Sequence, residues 1–512
     1  MCSSLRALTF AARRLRILAS RVFDSTSCIF LVNQAITVSR VTGLIIDVRP
    51  IAALEDVFED GKIDVIDLLN ENITLIPGLI DTHVHCEPLP MFLDTRSRLI
   101  TLHLPPVFLH PYSETSWEDQ VTKESTAERV IRATIHARTT LMAGYTTVRD
   151  LGTEGAEDSD MALRKCVSGP NPMIPGPRLF TASRAIVSTG SYGPKSRIHP
   201  GVEGVDGKHG AEVADGEAEC IRAVRRQIGA GADWIKVNYP IRSRSAQVNP
   251  RMAARDLPLF SPRELTAMIE TAHAQGVKVA AHASRSETCR LLVDLGVDCI
   301  EHGLFMDREA LLAIKHSPQR VIWTPTLATF AEDGPYSQFM GFSKKSFQEA
   351  LRIGGIRFGC GGDTGTFAHG LNASELVTMI DYGADWRDVL KWATIGGWEC
   401  VRGIQWEGEA GRRRLEAFAK AAAQGYVDTS VTAEAEIEPF EEIGEWPLGD
   451  NDVPLGAIKP GFAADIVGIK GDLMMDGKDA FLKALGGMSD PFHPPLVIKA
   501  GRVCKLNGKE LV

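Results

Sequence analysis

From residue 74 to about residue 403 one unit recurs: a short apolar, β-branched run, a polar stretch with helical periodicity, then the next run. This alternation predicts βαβ units and a parallel sheet, because parallel neighbours need a long crossover that is usually a helix. Eight runs qualify as strands, near 75–85, 146–150, 178–181, 233–237, 277–281, 298–302, 321–324 and 356–362. Eight parallel strands with their helices predict an α/β fold of the closed (β/α)8 TIM barrel kind. Among the connections, 261–275 reads as a helix, with Ser261 as cap, Pro262 in the first turn, Glu264 completing a capping box and Gly276 as the stop. Barrel enzymes build their sites at the C-terminal ends of the strands, which is where the unusual polar residues of this sequence fall.

The flanks do not join the repeat. Residues 28–73 and 451–512 carry short apolar runs at 43–48, 464–469 and 496–500 with turn signals between them, as expected of a small β-sandwich built from both chain ends. Residues 404–450 are acidic and alanine-rich, the pattern of a solvated insertion or linker. Residues 1–27 hold Arg6, Arg13, Arg14, Arg16 and Arg21 before the first acidic residue, Asp24, which reads as a frayed basic terminus or a transit peptide.

Composition excludes several classes of function. With 44% apolar and 24% charged residues, the 512-residue chain has ample core. It lacks the run of roughly 18 apolar residues that a membrane-spanning helix needs. A net charge of −9 without a basic, aromatic-interleaved stripe argues against nucleic acid and for a small-molecule substrate. A homo-oligomer is the expected assembly. Ten cysteines without a CxxC pair predict reduced thiols, hence a cytoplasmic location, or a mitochondrial one if the terminus is a targeting segment.

Six positions carry the chemistry. PGLIDTHVH at 77–85 closes an apolar strand on His83 and His85, whose side chains share a face because alternate residues of a strand point the same way. Two neutral imidazoles so placed can bind one metal ion, although HxH alone is weak evidence. GADWIKV puts Lys236 at the end of another apolar strand, where an unpaired ammonium is costly. It reads either as a salt-bridged lysine at the rim or as an amine carboxylated by carbon dioxide, an anionic donor able to bridge two divalent ions. His282 and His302 end consecutive strands 20 residues apart, one step around a barrel. Asp363 follows the eighth strand in a glycine-rich turn, FGCGGDTG, with room for a metal or water. It reads as ligand and general base, or as the cap of the next helix. His103, His110, His273, His316 and His369 read as solvated or structural, Cys86 as facing away from the metals, and Arg149 with Asp150 as part of an internal ion pair.

These residues resemble the amidohydrolase superfamily, in its imidazolonepropionase-like, prolidase and ochratoxinase branch. The motifs are PGLIDTHVH, AGYTTVRDLG, GADWIKV, EHG and GGDTG over 74–403, with a return at PLGAIKPGFAADIV. The resemblance implies two divalent metals, zinc being the expected ion: His83 and His85 on the more buried one, carboxylated Lys236 bridging, and His282 and His302 on the second. It implies hydrolysis of an amide bond in a dipeptide or N-acyl amino acid by a metal-bridging hydroxide, with Asp363 accepting the proton and delivering it to the leaving amine. Hydrolysis of a cyclic amide, of the imidazolonepropionase kind, and a non-catalytic metal-binding scaffold are the alternatives. Where relatives show a Gly-His-Gly turn, this chain has TGSYGP, and NYP follows Lys236. Substrate contacts are therefore expected from Tyr192 or from the basic loop at Arg242 and Arg244, arginine being suited to a free carboxylate.

Overall fold

The computed structural model describes residues 12–54, 63–84, 117–169, 171–189, 209–238, 259–423 and 449–512. Its first five strands are β1 (Arg14–Asp24), β2 (Ile29–Ser39), β3 (Ile45–Pro50), β4 (Ile63–Leu68) and β5 (Ile73–Pro77). The repeat follows with β6 (Leu79–Val84), β7 (Tyr145–Asp150), β8 (Arg178–Thr181), β9 (Ile186–Val187), β10 (Glu212–Val213), β11 (Trp234–Asn238), β12 (Lys278–Arg285), β13 (Cys299–Phe305), β14 (Ile322–Thr324) and β15 (Arg357–Phe358). Last come β16 (Ile466–Lys470), β17 (Leu496–Lys499), β18 (Arg502–Leu506) and β19 (Lys509–Glu510).

The repeat forms two parallel sheets, one in the order β6-β7-β8 and one in the order β10-β9-β11-β12-β13-β14-β15. Hydrogen bonds also run between the two sheets. Beside β8, the Asp233 amide donates to the Thr181 carbonyl at 2.9 Å. At the other edge Thr82 donates to the Cys360 carbonyl at 2.9 Å and Asp363 to the His83 carbonyl at 3.0 Å. Seven of the eight expected strands match β7, β8 and β11 to β15 to within a few residues. The first does not run from 75 to 85 in one piece: β5 belongs to another sheet, and the chain changes sheets at Gly78. A Cβ there would lie 2.1 Å from the Thr146 hydroxyl oxygen, so only glycine allows the crossing.

The expected helix at 261–275 is Pro262–Ala274, with the reciprocal Ser261 and Glu264 capping bonds in place and Gly276 at φ +74°. Between sheets and helices lies one extensive apolar core that includes Ile235, Val237, Val279, Ala281, Ile300, Trp323 and Phe358. Among the described residues no helix is long and apolar enough to cross a membrane, and all the described cysteines are free thiols.

The two chain ends meet in a nine-stranded sheet, β19-β18-β17-β16-β5-β1-β2-β3, with β4 also paired to β1. Two sequence readings change here. The basic segment expected over 1–27 is, from Arg14 on, a long strand that pairs with β2, β4 and β5. Its arginines alternate with Leu15, Ile17 and Ala19, which enter the core beside Ile36, Val38 and Ile66; the period-2 pattern outweighs the charge. The linker expected over 404–450 begins instead as packed structure: Trp406 and the helix Gly408–Ala423 bury Ala417, Phe418 and Ala421 against Trp398 and Leu455. Residues 424–448 lie outside the described residues.

One buried ionic cluster ties the nine-stranded sheet to β8. Asp465 accepts from Arg178 Nε at 3.0 Å and from the Ala500 amide at 2.7 Å, while Arg178 also donates to the Asp450 carbonyl at 2.6 Å. Removing one partner of a buried pair strands the other charge. Asp465→Ala should therefore lower the unfolding free energy by about 3 kcal/mol in urea denaturation; a loss below about 1 kcal/mol would mean that Asp450 alone satisfies Arg178.

Candidate metal centre

His83 sits on β6, Lys236 on β11, His282 on β12, Glu301 and His302 on β13, and Asp363 in the turn after β15. All six are at most 4% exposed. One ligand atom from each of His83, His302 and Asp363 lies within 4.8 Å of the others. The ring of His302 stands 5.0 Å from that of His83 and 4.6 Å from that of His282, and His83 Nε2 is 3.5 Å from Asp363 Oδ1. The Lys236 ammonium interacts electrostatically with Glu301, Asp363, His83 and His282. Five of the six positions singled out in the sequence thus come together. His85, Tyr192, Arg242 and Arg244 lie outside the described residues, as do His103, His110 and Cys86.

Each side chain is aimed by its neighbours. His83 Nδ1 contacts Glu301 Oε2 at 2.5 Å, which leaves Nε2 toward Asp363. The other Glu301 oxygen takes Arg149 Nη2 at 2.8 Å, and Arg149 Nε donates to the Thr82 carbonyl at 2.7 Å while its guanidinium covers the Trp234 ring at 4.4 Å. His302 adopts φ +69° and sets Nδ1 2.9 Å from the Thr326 hydroxyl. Asp363 adopts φ +61°. Its glycine-rich turn leaves room for the close approach of β6: a Cβ on Gly361 would stand 2.4 Å from His83 N. The helix-cap alternative for Asp363 falls, because the next helix, Ser374–Asp381, starts at Ala373 without a side-chain cap.

Burial governs the electrostatics. It pushes His83 down to about 4, against the pull of Glu301, and holds His282 well below the ordinary histidine range. Both imidazoles are neutral, the form a metal requires. Burial also raises Glu301, but Arg149 and His83 more than offset this and keep it below the usual carboxylate range. Asp363 is pushed well above that range by burial, and by Glu301, Asp81 and Glu154, with Lys236 opposing. Burial lowers Lys236, whose amine has no hydrogen-bond partner among the described residues and so is not the salt-bridged rim lysine of the alternative reading. Neutral imidazoles, a disfavoured carboxylate and an orphaned amine form an N/O donor set that a divalent cation would satisfy.

Glu301 is what sequence reasoning missed. In EHG only the histidine reads as a ligand, yet a buried charge needs a partner, and Arg149, expected in an internal ion pair, is the one Glu301 finds. Three other described histidines are held by the fold: His273 pairs with Asp298 at 2.7 Å, and buried His369 stacks on His136 at 5.6 Å.

Parallel strands that bring buried imidazoles, a carboxylate and an amine to one point define an α/β protein with a candidate metal centre. The amidohydrolase family model matches residues 74–403, more than half of the chain, and the chain belongs to that family. Its relatives fall in the expected branch. Ochratoxinase of Aspergillus niger is 29% identical over 249 residues, 46% of this chain and 44% of that protein. An uncharacterised protein of Mycobacterium tuberculosis is 27% identical over 207 residues, 38% of this chain and 52% of that one. The chain thus matches about half the length of these curated relatives. Among solved structures, a Xaa-Pro dipeptidase with bound methionine aligns with TM-score 0.64 at 22% identity, covering 96% of this chain and 100% of that one. The A. niger ochratoxinase structure aligns with TM-score 0.66 at 21% identity, covering 97% and 96%.

Glu301→Gln should destabilise the metal-free protein by about 3–5 kcal/mol, because Arg149 keeps its buried charge and loses the counter-charge. Denaturant titration after chelation tests this; an unchanged midpoint would show that the pair adds no stability.

Proposed function

We propose that the chain is a divalent-metal-dependent hydrolase that cleaves an amide carbon–nitrogen bond in a small substrate, a dipeptide or N-acyl amino acid. The observation that carries the reading is Lys236: a fully buried amine without a hydrogen-bond partner among the described residues, beside the His83, His302 and Asp363 cluster and the His282 ring. Family membership and the fold shared with a dipeptidase and with ochratoxinase support it. In this reading the two parallel sheets are arcs of one (β/α)8 barrel, with the nine-stranded sheet as its β-sandwich companion.

His83, His85, Lys236, His282, His302 and Asp363 would hold two zinc-like ions. Burial favours the free base of Lys236, and addition of that amine to carbon dioxide gives a carbamate with release of one proton. When bound, the ions would polarise the scissile carbonyl and acidify water. Asp363 accepts the water proton and passes it to the leaving nitrogen. Glu301 keeps His83 in the tautomer with Nε2 toward the centre, as carboxylate–histidine pairs do in metal sites. Tyr192, Arg242 or Arg244 would meet the free carboxylate of the substrate.

Metal analysis comes first: about two equivalents support the reading, one supports a cyclic-amide hydrolase, and none overturns it. In a screen of N-acyl amino acids and dipeptides, Asp363→Asn should lower kcat at least about a hundredfold while metal content stays near normal, since the amide keeps an oxygen donor but is no base. Near-normal turnover would place the base elsewhere. Lys236→Ala should instead lose metal, and full retention would rule out the bridge.

A further inference from the structure

We infer that Glu375, which is hydrogen-bonded to neither His302 nor Asp363, is a positioning residue that sets both at once through a single turn. The inference rests on the metal centre proposed above.

Glu375 lies on the helix Ser374–Asp381 and is 1% exposed. Its Oε2 accepts from the Ala328 amide at 2.7 Å. This amide lies in the first turn of the one-turn helix Leu327–Phe330. Without an acceptor it would be a buried donor in a helix first turn, where no intrahelical partner exists.

From that turn two arms reach the centre. Just before it, Thr326 sits at φ +50° with its hydroxyl 2.9 Å from His302 Nδ1. A left-handed conformation at a β-branched residue costs about 1–3 kcal/mol and persists only where the surroundings enforce it. Within the turn, Thr329 donates to the Gly362 carbonyl at 2.8 Å, and its hydroxyl is 2.7 Å from that of Thr366. Thr366 donates to the Asp363 carbonyl at 2.9 Å. One arm therefore orients an imidazole and the other holds the main chain of the proposed base. Both begin at the turn whose Ala328 amide Glu375 anchors, so losing this acceptor should loosen the two sides together.

Glu375→Met keeps volume and removes the acceptor, whereas Glu375→Gln keeps one oxygen for the Ala328 amide. The probe is cobalt(II), titrated into chelator-treated protein and read by its visible absorption, beside amide hydrogen exchange of the metal-free protein. Glu375→Met should bind cobalt about 10–100-fold more weakly, with an altered spectrum, and exchange faster at 326–330 and 361–366. Glu375→Gln should restore wild-type affinity, spectrum and protection, which a general packing role would not require. Wild-type cobalt binding and protection in Glu375→Met overturn the proposal, and so does a Glu375→Gln variant as impaired as Glu375→Met. If the wild-type protein takes up no cobalt while Glu375→Met alone gains exchange, the metal reading fails and the anchoring of the two arms stands. Should Glu375→Met fail to fold, Thr326→Val carries the test, since it removes only the hydroxyl on His302: an unchanged cobalt affinity and spectrum there overturn the proposal.

Discussion

Glu301 carries a negative charge in a place water does not reach, and much of the centre follows from how that charge is compensated. Burial of an isolated carboxylate costs far more than a protein of marginal stability can lose. One oxygen is met by Arg149 and the other by His83. Because Arg149 also holds the Thr82 carbonyl, the pairing links β6, β7 and β13 through their interior. It decides which nitrogen of His83 faces Asp363, so a feature of the core is also a setting of the site.

A second constraint is backbone geometry at the strand ends. His302, Thr326 and Asp363 all have positive φ, and each carries a side chain that must leave its strand or turn at an angle regular extended backbone does not provide. Around them the glycines are filled by neighbours rather than left open: Gly361 lies against His83 and Gly303 against Trp323. Three strained residues and two close backbone approaches thus fall around the buried His83, His302 and Asp363 cluster.

Much of this was legible in the sequence because it is local. Alternating apolar runs with strand-end polar residues placed β7, β8 and β11 to β15, and the capping box placed the helix at Pro262–Ala274. Charge misled where it competed with periodicity: the arginines of β1 suggested a frayed terminus although Leu15, Ile17 and Ala19 mark the buried face. Gly78 was likewise invisible as a change of sheet, since only the nearby Thr146 shows why it is glycine.

The sequence by itself determined the residue types at the strand ends, because a period of two and an apolar run fix which side chains share a face and where a strand stops. It also determined that Lys236 would close an apolar strand and need a partner or a purpose, and that Arg149 would sit in an internal ion pair. Which partner each found was decided by the tertiary structure. Arg149 and Glu301 are 152 positions apart, Glu375 reaches the Ala328 amide from 47 positions away, and Lys236 was left with no hydrogen bond among the described residues. Contacts of that range depend on the order and register of the strands, and a buried charge is satisfied by whatever that register brings within about 3 Å.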